Sequence, residues 1–215
     1  FTNNLISFNK HNSLNKIPRI ISDLNAGKSI ALVSDAGMPG ISDPGEDLVK
    51  SVKTSGFNTI CVPGACAALT ALVSSGLPSS KFIFEGFLPR KKSDREKLIL
   101  EISKNDKTTI IFESPHRLKK LLNELKEVCG SEREIQVFRE LTKKFEEHIG
   151  NNIKEVLDYI ETKEILGEVT IVLKGIKKNK LYNFDKDKLK KELHELVKAG
   201  LTLSAASRYL AKRNN

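Results

Sequence analysis

The chain has 215 residues, of which 39% are hydrophobic and 29% are charged, a composition typical of a folded globular protein. No apolar run approaches the roughly 20 residues that a membrane-spanning helix requires, so we expect no membrane association. The formal net charge of +9 favours an anionic partner, most commonly nucleic acid, although a biased lysine- and asparagine-rich composition explains it as well.

The three cysteines and four histidines do not have the spacing of a metal site or of a disulfide framework. The cysteines lack a C-x-x-C pattern and the histidines lack H-E-x-x-H. The sequence therefore predicts no metal, and it indicates a reducing, cytoplasmic location.

The first part of the chain alternates short apolar runs with amphipathic segments. This alternation predicts right-handed crossovers and a parallel sheet. Ser13 is the expected cap of the first helix, and Asp43 followed by Pro44 is the expected start of the second. The predicted elements are a helix over 13–26, a strand over 29–33, a helix over 44–54, a strand over 58–62 and a helix ending near residue 76.

An acidic glycine loop, Asp35-Ala-Gly-Met-Pro-Gly-Ile-Ser-Asp43, follows the first predicted strand. Loops at the carboxyl ends of strands bind ligands in open α/β sheets, and glycine lets a ligand approach the backbone. The loop has no G-x-x-x-x-G-K-[ST] pattern, so it suits a ligand with hydroxyls, an amine or a positive centre rather than phosphate. A tight structural turn explains the local pattern equally well. A second loop of small residues, 63–68, is expected at the same sheet edge.

Turn-forming residues at 76–80 predict a boundary before a second block. There, Ser93 and Glu96 have the spacing of a capping box for a helix that runs to about Ser103. Short connections between some strands favour a mixed sheet. The other predicted elements are a strand from about 82, strands over 108–112, 134–138, 146–149 and 168–173, and helices over 115–130 and 153–162.

A basic linker at 176–180 precedes two further predicted helices, one capped by Asp185 and running to Lys198, the other over 203–212. They resemble half of a helix-turn-helix, although a plain helical hairpin explains the pattern as well. The sequence thus predicts three parts, an N-terminal α/β domain over 1–77, a second α/β domain over 81–176 and a helical tail over 181–215.

Five stretches in a fixed order resemble the class III, tetrapyrrole-methylase-like S-adenosylmethionine methyltransferases. More closely, they resemble the family of ribosomal RNA small-subunit (cytidine-2′-O)-methyltransferases. The first two stretches are shared across the class, and the last three separate the RNA enzymes from the porphyrin methylases. The stretches are Ala31-Leu-Val-Ser-Asp-Ala-Gly-Met-Pro-Gly-Ile-Ser-Asp-Pro-Gly45, Val62-Pro-Gly-Ala-Cys-Ala-Ala-Leu-Thr70, Phe84-Glu-Gly-Phe-Leu-Pro-Arg90, Glu113-Ser-Pro-His-Arg-Leu118 and Arg139-Glu-Leu-Thr-Lys143.

The resemblance implies two α/β domains, the first with a parallel sheet and the second with a mixed sheet, and S-adenosylmethionine in the cleft between them. It also implies a homodimer that methylates the ribose 2′-hydroxyl of a cytidine, in free small-subunit ribosomal RNA or in the small ribosomal subunit. Family members begin with a strand and a Pro/Gly-rich loop that do not precede Phe1. We therefore expect part of the site to lie outside this sequence.

The resemblance assigns cofactor-binding residues to both loops, with Phe112 and Phe138 expected to close over the cofactor. Because Cys66 stands where many relatives have serine, its backbone amide is the expected contact. The expected cofactor-binding residues are Asp35, Gly37, Met38, Ile41, Pro63, Gly64, Cys66, Ala67, Phe112 and Phe138.

Methylation of a ribose hydroxyl needs a base, or a cation that stabilises the alkoxide. The catalytic candidates at strand ends are Glu113, His116, Arg139 and Glu140, with Glu85 as a further acid. Each also has a structural interpretation, such as an ion pair between Glu113 and Arg139 or a packing role for His116.

Basic residues beside Phe84 and Phe87 suit phosphate contact and base stacking, although the phenylalanines are expected to lie mostly in the core. The expected RNA-binding residues are Arg90, Lys91, Lys92 and Arg95. Two other functions stay open at this point, a tetrapyrrole methyltransferase of the same fold and a non-catalytic nucleic-acid-binding protein.

Overall fold

The computed structural model describes residues 5–177 and 186–213, without the side chains of 186–188 and 212–213. The chain forms two compact units, residues 1–176 and 177–215. Most of the predicted linker and the predicted cap Asp185 lie outside the described residues. The further boundary near residues 77–81 stays a prediction.

A mixed five-stranded sheet forms the centre of the first unit. Its order is β1-β2-β5-β3-β4, with β1 and β2 parallel and every other neighbouring pair antiparallel. The α/β class and the mixed sheet are thereby confirmed. The strands are β1 Phe82–Phe87, β2 Thr108–Glu113, β3 Ile135–Arg139, β4 Glu147–Ile149 and β5 Val169–Leu173.

Helices cover both faces of this sheet, which explains why β2 and β5 are buried along almost their whole length. One face packs against α4 (Lys92–Ser103), α5 (Pro115–Cys129) and α6 (Ile153–Thr162) through the largest apolar cluster. The other face packs against α3 (Ala67–Ser74), where Ala71 and Leu72 meet Ile110 and Val172. The small side chains of α3 let this helix lie close to β2 and β5.

The helices α1 (Ser13–Asn25) and α2 (Glu46–Thr54) share a third, smaller apolar cluster. The strands predicted over 29–33 and 58–62 are wrong, because neither segment has regular secondary structure. A strand exists only where a neighbour supplies backbone hydrogen bonds, and these segments leave Val33 at 73% and Ile60 at 88% exposure. The predicted N-terminal parallel sheet is accordingly absent from the described residues.

Three predicted helix starts are also corrected. Asn12 rather than Ser13 precedes the first helix. The second helix begins at Glu46, and the carboxylate of Asp43 instead accepts a hydrogen bond from Ser34 Oγ at 2.5 Å. The capping box fails because α4 begins at Lys92, which places Ser93 inside the helix.

The second unit contains α7 (Lys186–Lys198) and α8 (Leu203–Arg213), which confirms two helices there. They pack against each other around a shallow apolar groove that includes Leu189, Leu193 and Leu210. Across the part of the chain that the structure describes, none of the helices has both the length and the apolar character needed to cross a bilayer.

Candidate active site

A cleft of about 500 Å³ opens at the carboxyl ends of β2 and β3 and at the start of β5. The acidic glycine loop and the start of α3 form one side. The other side is formed by the ends of β1 and β2, the loop after β3 and the loop before β5. The polar residues of its lining are Asp35, Ser42, Asp43, Cys66, Thr70, Glu113, Ser114, Thr142, Lys143, Glu168 and Thr170.

The acidic glycine loop meets β1 at a bulge. The register between β1 and β2 shifts between Phe84 and Gly86, where Gly86 adopts a φ of 62°. A Cβ atom on Gly86 would lie 3.1 Å from Ser42 Oγ. The bulge therefore provides the space in which this loop rests against the sheet.

A carboxylate–ammonium–carboxylate group joins the two loops on the opposite side of the cleft. Lys143 Nζ donates to Glu140 Oε1 and to Glu168 Oε2, each at 3.0 Å. Glu140 Oε1 also accepts from the backbone N–H of Glu168 at 2.8 Å. These bonds lower the pKa of Glu140 and raise the pKa of Lys143. The Lys143 side chain is consequently a permanent cation and hydrogen-bond donor at neutral pH.

Backbone strain is concentrated around the same cleft. Ser42, Glu140 and Thr142 are the non-glycine residues with positive φ among the described residues, at 57°, 50° and 66°. Ser42 and Thr142 line the cleft, and Glu140 is bonded to residues that do. Strained conformations of this kind persist where the surrounding bonds hold them, and they cluster at functional sites.

A buried ionic network lies behind the end of β2. Glu113 is 2% exposed, and its carboxylate pairs with Arg95 and Arg117, each at 3.3 Å. Arg95 is 3% exposed and also pairs with Glu124 at 2.6 Å. The suggested pair of Glu113 with Arg139 is wrong, because Arg139 pairs with Glu147.

Most of the expected cofactor residues lie in the cleft. Asp35, Gly37, Met38, Ile41, Cys66, Ala67 and Phe112 line it. Pro63 and Gly64 are outside the lining, in the irregular segment that precedes α3. The expectation that Phe138 closes over the cofactor is wrong. Phe138 is 3% exposed, packs in the core and stacks on His148 with ring centroids 4.6 Å apart.

The structure disperses the catalytic candidates. His116 is exposed in the first turn of α5 and lies outside the lining. Glu113 is buried and doubly ion-paired, which excludes it as a free base. Arg139 binds Glu147 and the carbonyl of Leu166, and Glu140 holds the loop bonds described above.

Glu85 is the bulged residue of β1, away from the cleft lining. Partial burial, followed by the nearby carboxylate of Glu101, raises the pKa of Glu85.

The RNA-binding candidates divide into two groups. Arg90, Lys91 and Lys92 are exposed. The expectation that Arg95 binds RNA is wrong, because Arg95 is buried against the carboxylates of Glu113 and Glu124. Phe84 packs in the core as expected, whereas Phe87 is 57% exposed at the cleft.

The sequence interpretation missed several polar residues of the cleft, because the segments that carry them meet only after folding. A partial signal was available, since four of these residues belong to the five motifs: Thr70, Ser114, Thr142 and Lys143. The missed residues are Thr70, Ser114, Thr142, Lys143, Glu168 and Thr170. Among the described residues, no three His, Cys, Asp or Glu side chains are grouped so that they could hold a metal ion.

Residues 7–157 match the family described as Tetrapyrrole (Corrin/Porphyrin) Methylases, a match that covers more than half of the chain. The chain belongs to this family. The solved structure of the methyltransferase CobJ has a similar fold. Its TM-score is 0.59 at 17% identity, and the match covers 75% of this chain and 71% of that one.

Curated relatives are more similar in sequence. The Synechocystis protein named Ribosomal RNA small subunit methyltransferase I is 40% identical over 207 residues, covering 96% of this chain and 74% of that protein. The Bacillus subtilis protein of the same name is 46% identical over 171 residues, covering 80% of this chain and 58% of that protein. The chain thus spans between about three fifths and three quarters of the length of these two relatives.

Proposed function

We propose that this protein is an S-adenosylmethionine-dependent methyltransferase that modifies the ribose 2′-hydroxyl of a cytidine in small-subunit ribosomal RNA. The name shared by the 40–46% identical relatives supports the class of substrate. The structural observation that supports the proposal most directly is the acidic cleft beside the exposed basic residues Arg90, Lys91 and Lys92. The cytidine and the 2′-hydroxyl rest on the motif resemblance alone.

The cleft suits this cofactor in size and charge. A volume of about 500 Å³ falls within the range of small-molecule pockets. Two of its four acidic lining residues, Glu113 and Glu168, are held in ion pairs. The other two, Asp35 and Asp43, favour a ligand that carries an ammonium and a sulfonium. Asp35, in the acidic glycine loop, and the backbone at Cys66 and Ala67 would hold its polar groups. Phe87 and Phe112 would contact its apolar part.

S-adenosylmethionine, when bound, supplies an electrophilic methyl group. The chain's own contribution is mainly alignment, because an in-line displacement gains most from holding its reacting atoms in position. The strained and hydrogen-bonded loops at Ser42 and at Glu140–Lys143 provide rigid walls for that purpose. Preorganised walls of this kind need little rearrangement when the substrate binds.

Lys143 acts as a donor rather than as a base in this proposal. Its raised pKa keeps the ammonium protonated, and two of its three N–H groups are used by Glu140 and Glu168. The third can donate to the ribose 2′-oxygen while the proton of that hydroxyl passes to solvent water. Lys143→Met should therefore lower the rate of transfer more than it lowers the affinity for S-adenosylmethionine.

The test is transfer of labelled methyl from S-adenosylmethionine by the purified full-length protein. Small ribosomal subunits, naked ribosomal RNA and a porphyrinogen are offered in parallel, because the family also methylates tetrapyrroles by name. We expect label on ribose of the RNA. Label on the porphyrinogen alone would contradict the proposed substrate and favour the tetrapyrrole alternative.

Cofactor binding is tested separately by calorimetry. Asp35→Ala should abolish measurable binding of S-adenosylmethionine, whereas Asp158→Ala, which alters an exposed residue on α6, should leave it unchanged. A wild-type protein that binds RNA but never binds S-adenosylmethionine would instead favour the non-catalytic alternative.

Two further properties belong to the same proposal. An enzyme that modifies ribosomal RNA works where ribosomes are assembled, so we propose that it acts in the cytoplasm. The motif resemblance supports a homodimer, which light scattering of the purified protein would reveal as twice the mass of one chain.

A further inference from the structure

We propose that Glu113 and Arg117 are positioning residues that hold a basic surface segment at a fixed place beside the cleft. The basic segment is defined as residues 88–92, which include Arg90, Lys91 and Lys92. The inference rests on the proposed function, since it concerns how an RNA bound at this segment reaches the cleft.

Glu113 connects three elements through one buried carboxylate at the end of β2. Its Oε1 accepts from the backbone N–H of Ser114 at 2.9 Å and pairs with Arg117 Nε at 3.3 Å. Its Oε2 accepts from Arg95 Nη1 at 3.3 Å. Glu113 and Ser114 line the cleft. The carboxylate is therefore tied to the cleft wall on one side and to α4 and α5 on the other.

Arg117 extends this connection to the start of the basic segment. Its Nε faces Glu113, while its Nη2 donates to the backbone carbonyl of Leu88 at 3.0 Å. The Leu88 side chain is 2% exposed, so this end of the segment is also anchored in the core.

Arg95 holds the other end of the segment. It lies in the first turn of α4, which begins at Lys92, the last residue of the segment. Its guanidinium lies between Glu113 and Glu124, which is a charge-assisted arrangement in a buried setting. The basic segment is thus fixed at both ends through the same carboxylate.

We expect the arrangement to position the basic segment rather than only to stabilise the fold. Buried ion pairs are commonly no more stabilising than apolar residues of the same size. This one joins an exposed cationic surface, which can contact phosphates, to the wall of the cleft where transfer takes place. Because transfer is sensitive to displacements of about 1 Å, a loosened segment should slow the reaction without weakening cofactor binding.

The central test is Arg117→Lys in single-turnover methyl transfer to ribosomal RNA. Lysine keeps the charge but lacks the planar fork, so its single nitrogen cannot occupy both the Nε position beside Glu113 and the Nη2 position beside the Leu88 carbonyl. We expect the rate constant to fall at least tenfold and the affinity for S-adenosylmethionine to stay within twofold of wild type. Lys119→Ala, an exposed change on the same helix, is the control and should leave both unchanged.

A purely structural role would give a different result. Partial unfolding of Arg117→Lys would reduce the amplitude of the single turnover and the number of cofactor sites, but it would leave the rate constant of the folded molecules unchanged. That outcome would overturn the inference.

A double-mutant cycle connects the effect to the basic segment. When Arg90, Lys91 and Lys92 are all replaced by alanine, Arg117→Lys should have little further effect on the rate, because the segment no longer holds RNA. Fully additive effects would contradict the inference. Absence of any transfer to RNA by the wild type would instead contradict the proposed function, so the two failures are distinguishable.

Discussion

At the scale of single residues, the most consequential feature is the charge buried at Glu113. Its partners Arg95 and Arg117 come from two different helices. Removing the carboxylate would leave Arg95, which is 3% exposed, with Glu124 as its remaining ion-pair partner. The loss of one member of this network should therefore lower the free energy of unfolding more than the loss of one member of an exposed ion pair does.

Glu113→Ala should lower the free energy of unfolding by about 3–5 kcal/mol, the range found when one member of a buried ion pair is removed. Glu161→Ala removes an exposed partner of Lys119 and should cost less than about 1 kcal/mol. Urea denaturation of the three proteins measures the difference. Equal midpoints for the two variants would show that the buried network adds no stability.

Glu140 predicts a dependence of stability on pH. Its pKa is lowered from 4.5 by the Glu168 N–H and by Lys143. This stabilisation is complete above pH 4.5 and is lost as the pH falls through the lowered pKa. Glu140→Gln should therefore lose stability less steeply than wild type as the pH falls below 4.5, as followed by urea midpoints. Glu127→Gln, which alters an exposed residue on α5, should follow the wild-type profile.

At the scale of elements, the loops at the strand ends are shaped by close contacts between segments far apart in sequence. The loop after β3 and the loop before β5 bond through Glu140 N–H to the Glu168 carbonyl at 2.9 Å. Gly167 adopts a φ of 91°, and a Cβ there would lie 2.5 Å from the Glu140 carboxylate. The glycine is thus needed both for its backbone conformation and for the space it leaves.

Gly167→Ala should destabilise the protein more than Gly56→Ala does. Both positions have positive φ, which costs alanine roughly 1–2 kcal/mol, but a Cβ at Gly56 meets no atom within 4 Å. The additional loss of unfolding free energy at Gly167 measures the cost of displacing Glu140 from its partners. Comparison of the two unfolding free energies checks this, and equal losses would mean that Glu140 moves aside freely.

At the scale of the whole molecule, the net charge and the charge of the cleft have opposite signs. The net charge is +9, yet the described lining of the cleft is mainly acidic. A cationic surface attracts a polyanion, while an acidic cleft favours a positively charged cofactor and disfavours phosphate. The basic segment lies beside this cleft and is the part of the surface that we expect to contact RNA.

RNA binding should weaken steeply with salt. Each phosphate contact to single-stranded RNA contributes about 0.7 to the slope of log K against log salt concentration. Replacing Arg90, Lys91 and Lys92 with alanine should thus reduce the slope by about 2, as measured by fluorescence anisotropy. Replacing Arg19, Lys50 and Lys53, which are exposed on α1 and α2, is the matched control. Equal slopes for both variants would show that the basic segment does not contact RNA.

The local sequence determined most helices and all five strands of the mixed sheet, because periodicity and turn residues report directly on local structure. It also determined the first wall of the cleft, since Asp35, Gly37 and Met38 lie together in one loop. It failed for residues 29–33 and 58–62, where an apolar run is recognisable but its hydrogen-bonding neighbour is not.

Only the tertiary structure decided the roles of the charged residues. Arg95 has the pattern of a surface cation, yet it is buried between Glu113 and Glu124. Lys143 was a motif residue without a role until folding brought it to Glu168, 25 residues away along the chain. The reason is that charge belongs to the residue, whereas burial and partners are created by elements that meet only in the folded chain.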